Sequence, residues 1–205
     1  MRKENFIIGL VGGSGSGKSS FANQIKNLFA NAIVLSQEDY YIVQKGKTLS
    51  ERAQQNYYHP NAIDFSLLIS HVSDLKKNKS VNLPIYDFEH HLRLHETKKV
   101  NPAPVVIVEG SLLFTNEQLF ELFDLTLFLD VDADVRLMRK IQTENREKRK
   151  TLDFVLTQYF DQIKPIYAQY VEPFKKKADV LVSQSDTRKV VLDMIKLVIN
   201  KELNG

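Results

Sequence analysis

The sequence of 205 residues contains no cysteine. That excludes disulfides, thiolate zinc sites, cysteine nucleophiles and cysteine-attached haem, and it is compatible with a reducing compartment. No apolar run approaches the roughly 18 residues of a membrane span. The start, Met1-Arg2-Lys3-Glu4-Asn5, leads into an apolar run and a glycine-rich loop rather than a signal-peptide cleavage site. The expectation is a soluble, cytoplasmic protein with no membrane partner. An excess of one charge is also missing: 28 Lys+Arg against 25 Asp+Glu leave a formal net charge of +3. Nucleic-acid-binding domains carry a concentrated basic face, so no nucleic-acid partner is expected. Internal repeats and low-complexity segments are absent too. What is present, 43% hydrophobic and 26% charged residues, suits one ordinary globular domain spanning 1–205. A chain of this size buries roughly 70% of the surface that its unfolded form exposes, enough for a large core without crosslinks.

The apolar run 6–11 reads as a strand buried on both faces of a parallel sheet. Phe21, Ile25, Leu28 and Phe29 then recur at helical spacing, and residues 32–35 read as a second buried strand. Residues 38–60 are polar and tyrosine-rich, predicting loop with some helix, and the stripe Ile63, Leu67, Leu68 and Val72 predicts a helix over 63–75. Residues 81–97 are strand-like but carry Tyr86, Asp87, Phe88, His90, His91, Arg93 and His95, an odd composition for a core. They read as an excursion beside a site, with Tyr86, His90, His91 and Arg93 as material for recognising a polar ring. Buried strands follow at 105–108 and 125–130, then a long charged helix, a helix over 151–160, a short strand at 178–182 and a closing helix over 190–203. Strands alternating with helices imply an α/β fold with a mostly parallel sheet. His71 and His95 are expected at the surface.

Gly12-Gly13-Ser14-Gly15-Ser16-Gly17-Lys18-Ser19, followed by Ser20, fits G-x-x-x-x-G-K-[ST] between a predicted strand and a predicted helix. Glycines let the backbone curl so that N–H groups and the helix N-terminus face phosphate oxygens. Lys18 reaches the β/γ-phosphates and the Ser19 hydroxyl holds Mg²⁺. A dinucleotide-binding fingerprint does not fit the spacing. Glu109 ends a buried strand and reads either as a carboxylate delivered to the metal at the ligand-binding edge of the sheet or as a strand-terminal acid that caps the following turn. A guanine-reading Asn-Lys-x-Asp is missing, because Asn78-Lys79-Ser80-Val81 lacks the aspartate. The length suits a kinase of a small hydroxyl compound. Such an enzyme needs a carboxylate for the hydroxyl proton, and Glu38 and Asp39 follow the second strand at the expected edge. The basic segment Arg136, Arg139, Lys140, Arg146, Lys148, Arg149 and Lys150 reads either as a lid over phosphates or as a solvated helical face with Glu144 and Lys148 at i,i+4.

The motifs, taken in order, resemble the uridine kinase (uridine/cytidine kinase) family of P-loop nucleoside kinases. They are the phosphate loop, Ser36-Gln37-Glu38-Asp39-Tyr40-Tyr41, Asn56-Tyr57-Tyr58-His59-Pro60, Pro84-Ile85-Tyr86-Asp87-Phe88, Val108-Glu109-Gly110, Asp130-Val131-Asp132-Ala133-Asp134-Val135-Arg136-Leu137, and Lys164-Pro165 through Ala178-Asp179. The resemblance implies a three-layer P-loop NTPase fold with a helical lid near 139–152 and a small β excursion near 81–97. It also implies ATP or GTP as phosphate donor with Mg²⁺, and a homo-oligomer. The family's catalytic aspartate falls on Glu38, with Asp39 next to it; Ser19, Glu109 and Glu38 would face the metal. One extra methylene moves a carboxylate by roughly 1.5 Å, and a misplacement of about 1 Å can cost on the order of 10²-fold. Base-reading positions fall on Tyr86 and His91. The ribose-binding aspartate falls on Tyr58, and a lost charged hydrogen bond of roughly 1.5–3 kcal/mol corresponds to about ten- to a hundredfold in kcat/KM. Lid arginines fall on Lys140, Thr143, Lys148 and Lys150, where lysine keeps charge but gives up the bidentate fork. Arg139 matches, and Gln158 retains a substrate contact. The expected reaction is phosphorylation of the 5′-hydroxyl of uridine or cytidine. The alternatives are another nucleoside, a sugar phosphate or a vitamin as acceptor, or a nucleotide-binding protein without transfer activity.

Overall fold

A computed structural model describes residues 4–148, 150–183 and 187–204. The strands are β1 (Phe6–Gly12), β2 (Ile33–Ser36), β3 (Val81–Asp87), β4 (Leu92–Val100), β5 (Val105–Glu109), β6 (Leu125–Asp130) and β7 (Val180–Ser183). The α-helices are α1 (Lys18–Lys26), α2 (Leu49–Ala53), α3 (Phe65–Lys76), α4 (Glu117–Phe120), α5 (Ala133–Lys148), α6 (Leu152–Gln158), α7 (Lys164–Tyr170) and α8 (Thr187–Asn204).

Five strands form one parallel sheet in the order β2-β5-β1-β6-β7. Successive side chains on a strand point to opposite faces, and here both faces are covered. On one side Ile7, Val11, Val106, Val108 and Phe128 pack with Leu68, Val72 and Leu75 of α3 and Leu119 of α4. On the other, Ile8, Leu10, Ile107, Leu127 and Leu129 pack with Phe21, Ala22 and Ile25 of α1 and Val191, Ile195 and Ile199 of α8. Each fully buried large side chain stabilises by roughly 1.5–3 kcal/mol, and the continuous apolar runs in the sequence are this double burial. The fold is thus three-layered, as expected. Gly9 is fitted to its neighbour: a Cβ there would stand 2.6 Å from the ring of Phe123.

β1 is where the strand order reverses. The connections building β2 and β5 run to one side of it and those building β6 and β7 to the other, and the crevice beyond the C-terminal strand ends at such a point is where open α/β sheets bind ligands. The excursion predicted over 81–97 is an antiparallel hairpin, β3–β4, outside the main sheet. Arg93 ties it down, pairing with Asp64 Oδ2 at 3.1 Å and donating to the Tyr41 carbonyl at 2.8 Å. The helix predicted over 151–160 is α6, which runs through a π-helical turn at Tyr159–Ile163 into α7. Such wide turns shift the face that the following residues present. His95 is exposed as expected. His71 is not a surface residue: it is half-buried, its Nδ1 lies 3.0 Å from the Tyr40 hydroxyl, and burial lowers its pKa.

Candidate active site

The loop after β1 turns sharply at Gly15 and Gly17, whose φ angles of 79° and 89° lie in the left-handed region that favours glycine. It opens α1, whose first turn has no side-chain cap and no acidic residue. Its unsatisfied N–H groups are therefore available to an anion. Lys18 Nζ donates to the Gly13 carbonyl at 3.3 Å. Burial lowers the Lys18 pKa, with Glu109 and Glu38 pulling it back up and Arg136 pushing it further down. The Ser19 hydroxyl donates to Glu109 Oε1 at 3.0 Å, so the start of α1 and the end of β5 present a hydroxyl and a carboxylate together. Among the described residues no cluster of three His, Asp or Glu could hold a metal by itself. The Ser19–Glu109 pair instead suits Mg²⁺, which keeps waters and takes one or two protein carboxylates together with substrate phosphates.

Arg136 reinforces the loop from beneath and was not singled out for this role by the sequence. It is buried, its guanidinium lies 4.0 Å over the Tyr167 ring, and its Nε donates to the Val131 carbonyl at 3.0 Å. A Cβ at Gly13 or Gly15 would collide with it. Arg188 Nη2 donates to the Ser16 carbonyl at 3.1 Å. Arg139, expected over the phosphates, lines neither cavity described below. It is close enough to Arg188 to add to the lowering of that group's pKa, which is due first to burial.

After β2 the chain makes a 3₁₀ turn, Gln37–Tyr40, in which Ser36 Oγ accepts from the Glu38 N–H at 3.3 Å. Buried Gln37 accepts from the Leu112 N–H at 2.8 Å, tying this turn to the loop after β5. Two cavities meet here. One, of about 300 Å³, is lined by the phosphate loop, Lys18, Ser19, Thr143 and Tyr167. The other, of about 560 Å³, is lined by Tyr86, His91, Lys140, Lys150 and Gln158. Ser14, Glu38, Tyr41, Tyr57 and Tyr58 line both. Asp39 lines neither; burial, reinforced by Glu38 and Glu109 and opposed by Lys98, pushes its carboxyl up to about 6.

The second cavity has an aromatic end and a charged wall. Tyr57 stacks on His91 with ring centroids 5.2 Å apart at 16°, and Tyr41 meets Tyr86 edge-on at 5.1 Å. Burial, reinforced by the neighbouring Tyr57 phenol, pushes the Tyr86 phenol far above its usual value. On the wall, the Tyr58 hydroxyl donates to Gln158 Oε1 at 3.3 Å and accepts from Lys140 Nζ at 3.1 Å. Lys140 also pairs with Glu144 Oε1 at 3.1 Å, and Lys150 pairs with Glu144 Oε2 at 3.0 Å. Six substrate-site candidates, Tyr58, Tyr86, His91, Lys140, Lys150 and Gln158, thus share one cavity. The Lys148 side chain and Arg149 lie outside the described residues. Glu144 does not lie on a solvated helical face: it is buried at the centre of this network. Arg93 and His90 do not line the cavity: Arg93 anchors the hairpin, and His90 pairs with Asp87 at 2.7 Å in its turn. Tyr57, Tyr41 and Glu144 were missed as site residues; for the tyrosines the available signal was their position inside the conspicuous 38–60 segment.

An anion cradle that opens into a second pocket with its own recognition wall serves transfer between two bound molecules, which is the business of a P-loop kinase. The chain belongs to the phosphoribulokinase / uridine kinase family, whose model matches residues 7–191. It is 40% identical over 204 residues to a uridine kinase from Lactococcus lactis subsp. lactis, covering 98% of this chain and 99% of that one. It is 38% identical over 191 residues to a uridine kinase from Clostridium novyi, covering 92% of each. Phosphoribulokinase from Rhodobacter spheroides shares the fold, with a TM-score of 0.62 at 13% identity over 88% of this chain and 70% of that one. The protein is accordingly a phosphotransferase with a hydroxyl acceptor, and its family implies a nucleotide phosphate donor. No helix among the described residues is long and apolar enough to cross a membrane.

Proposed function

We propose that the protein transfers the γ-phosphoryl group of ATP, or of GTP, to the 5′-hydroxyl of a pyrimidine nucleoside, uridine or cytidine. The observation that carries this reading is Glu38 standing on the boundary of the two cavities, with phosphate-binding groups on one side and the Tyr86/His91 slot on the other. The curated relatives named uridine kinase support the same acceptor.

Lys18, the loop N–H groups and the N-terminus of α1 stabilise charge on the β/γ-phosphates. Ser19 and Glu109, with Glu38 beside them, would hold Mg²⁺, which supplies charge neutralisation when bound. Glu38 orients the acceptor hydroxyl and takes its proton as the oxygen attacks phosphorus. Asp39, withdrawn from both cavities, acts on Glu38 through its charge. Tyr86 and His91 hold the base, and Arg139 has no role in this reading. The enzyme works in the cytoplasm. The exposed stripe Val190, Met194, Leu197 and Val198 on α8 supports a homo-oligomer, which light scattering tests.

ADP release from ATP and Mg²⁺ is measured across uridine, cytidine, other nucleosides, pantothenate and ribulose 5-phosphate, with Lys18→Ala as the control. Turnover on uridine or cytidine is expected; silence on both with activity elsewhere overturns the acceptor. Glu38→Gln should lower kcat by roughly 10²–10⁴-fold with little change in KM, and Asp39→Asn by less than about tenfold. The reverse order would move the catalytic role to Asp39.

A further inference from the structure

The geometry points to an acceptor site that does not read the ribose 2′-hydroxyl: we infer that 2′-deoxyuridine and 2′-deoxycytidine are phosphorylated nearly as well as uridine and cytidine. This rests on the pyrimidine-nucleoside reading above. With the base in the Tyr86/His91 slot and the 5′-oxygen at Glu38, the sugar spans the part of the cavity walled by Tyr58, Lys140, Gln158 and Glu144.

A vicinal diol offers two protons and is held best where a carboxylate or other strong acceptor is ready to take both. On this wall the acceptors are already engaged. Glu144 gives one oxygen to Lys140 and the other to Lys150, with Lys140 and Glu144 only 5% and 7% exposed. The Tyr58 oxygen accepts from Lys140, and the Gln158 oxygen accepts from Tyr58. Asp161 also lines the cavity but is exposed to water, and Glu38 is reserved for the reacting hydroxyl. What the wall retains is donor capacity, the third proton of Lys140, which the 3′-oxygen common to both sugars can accept.

Discrimination against a missing hydroxyl arises when the site's own polar groups are left unpaired, and then reaches about 10⁴–10⁵-fold. Here Tyr58, Lys140, Glu144 and Gln158 pair with one another whether or not the 2′-oxygen is present. The ratio of kcat/KM for ribonucleoside over deoxyribonucleoside should therefore stay below about tenfold.

The test measures kcat/KM for uridine, 2′-deoxyuridine, cytidine and 2′-deoxycytidine on the full chain, with the monophosphate products identified. Ratios below about tenfold support the inference. Turnover of the ribonucleosides with ratios above about a hundredfold overturns it while leaving the pyrimidine reading intact. Turnover of none of the four overturns both. Tyr58→Phe supplies a second readout: loss of the hydroxyl should shift rates for both sugars together and leave the ratio within about threefold. A change of more than about tenfold in that ratio would show that Tyr58 reads the sugar after all.

Discussion

Glu144→Gln removes the one carboxylate shared by Lys140 and Lys150. At contacts of 3.1 and 3.0 Å, each pair carries roughly 5 kcal/mol of raw Coulomb attraction at an effective dielectric of 20. Desolvation offsets most of it, so the net value of the intact network is small. Breaking it is different. Lys140 is 5% exposed, and its ammonium would keep only the Tyr58 oxygen and a neutral amide as partners. Removing one member of a buried pair costs about 3–5 kcal/mol. Lys150, 32% exposed, swings back into water and adds less than about 1 kcal/mol. For a domain of this size each kcal/mol shifts Tm by roughly 2–4 °C, so Glu144→Gln should lower Tm by roughly 6–20 °C. Urea unfolding of the two proteins at pH 7 should show the midpoint falling with an unchanged slope. Replacing the pair together, Lys140→Met with Glu144→Leu, should recover most of the loss, because apolar groups of similar volume leave no orphaned charge. A loss below about 1 kcal/mol for Glu144→Gln would mean that the network is solvated and the reasoning fails.

Two further perturbations bear on stability. The Asp39 carboxyl, held near pH 6 against an ordinary 3.8, binds its proton more tightly folded than unfolded, so its contribution favours the native state at low pH and is lost as pH rises from about 4 to 6. Asp39→Asn should therefore be more stable than the wild type at pH 8 and equal to it at pH 4. About 3 kcal/mol would follow for an enclosed group, and about 1–2 kcal/mol for one this open to water; the same Tm difference at both pH values would contradict the assignment. Gly9→Ala drives a methyl to 2.6 Å from the Phe123 ring and should cost about 1–3 kcal/mol by overpacking, with Phe123→Leu relieving it; an unchanged Tm refutes the close fit.

Much of the scaffold was legible in the chain because both faces of a parallel sheet are buried, leaving unbroken apolar runs such as 105–108 and 125–130. The phosphate loop was legible because its mechanism fixes residue types at fixed spacings. The second cavity was legible only in part. Tyr86, His91 and Gln158 were placed by resemblance, but nothing local says which charges on α5 turn inward. Glu144 and Lys148 look like an exposed helical pair, yet Glu144 is buried, with Lys140 and Lys150 turned onto its carboxylate and the Tyr58 hydroxyl meeting Lys140. Arg93 has the chemistry of a ligand contact, and only the approach of the hairpin to Tyr41 and Asp64 commits it to anchoring instead. Arg136 was visible as a basic residue, but its place beneath the loop depends on the ring of Tyr167, distant in sequence.

The hairpin lies outside the main sheet and is moored at Arg93. It carries Tyr86 and, in its turn, His91, while the anion cradle grows from β1 and α1. Within 81–100 the two tasks are divided by residue: Tyr86, Phe88 and His91 line the acceptor pocket, so exchanges there alter what it admits and leave the glycine loop untouched, whereas Val81 and Leu83 pack into the same core as Ile7 and Val11 of β1 and are held by it. The family is named for two kinases, a phosphoribulokinase and a uridine kinase, and in this chain the groups placed to tell acceptors apart stand on the hairpin, α5 and α6, away from the strand and helix that carry the glycine loop.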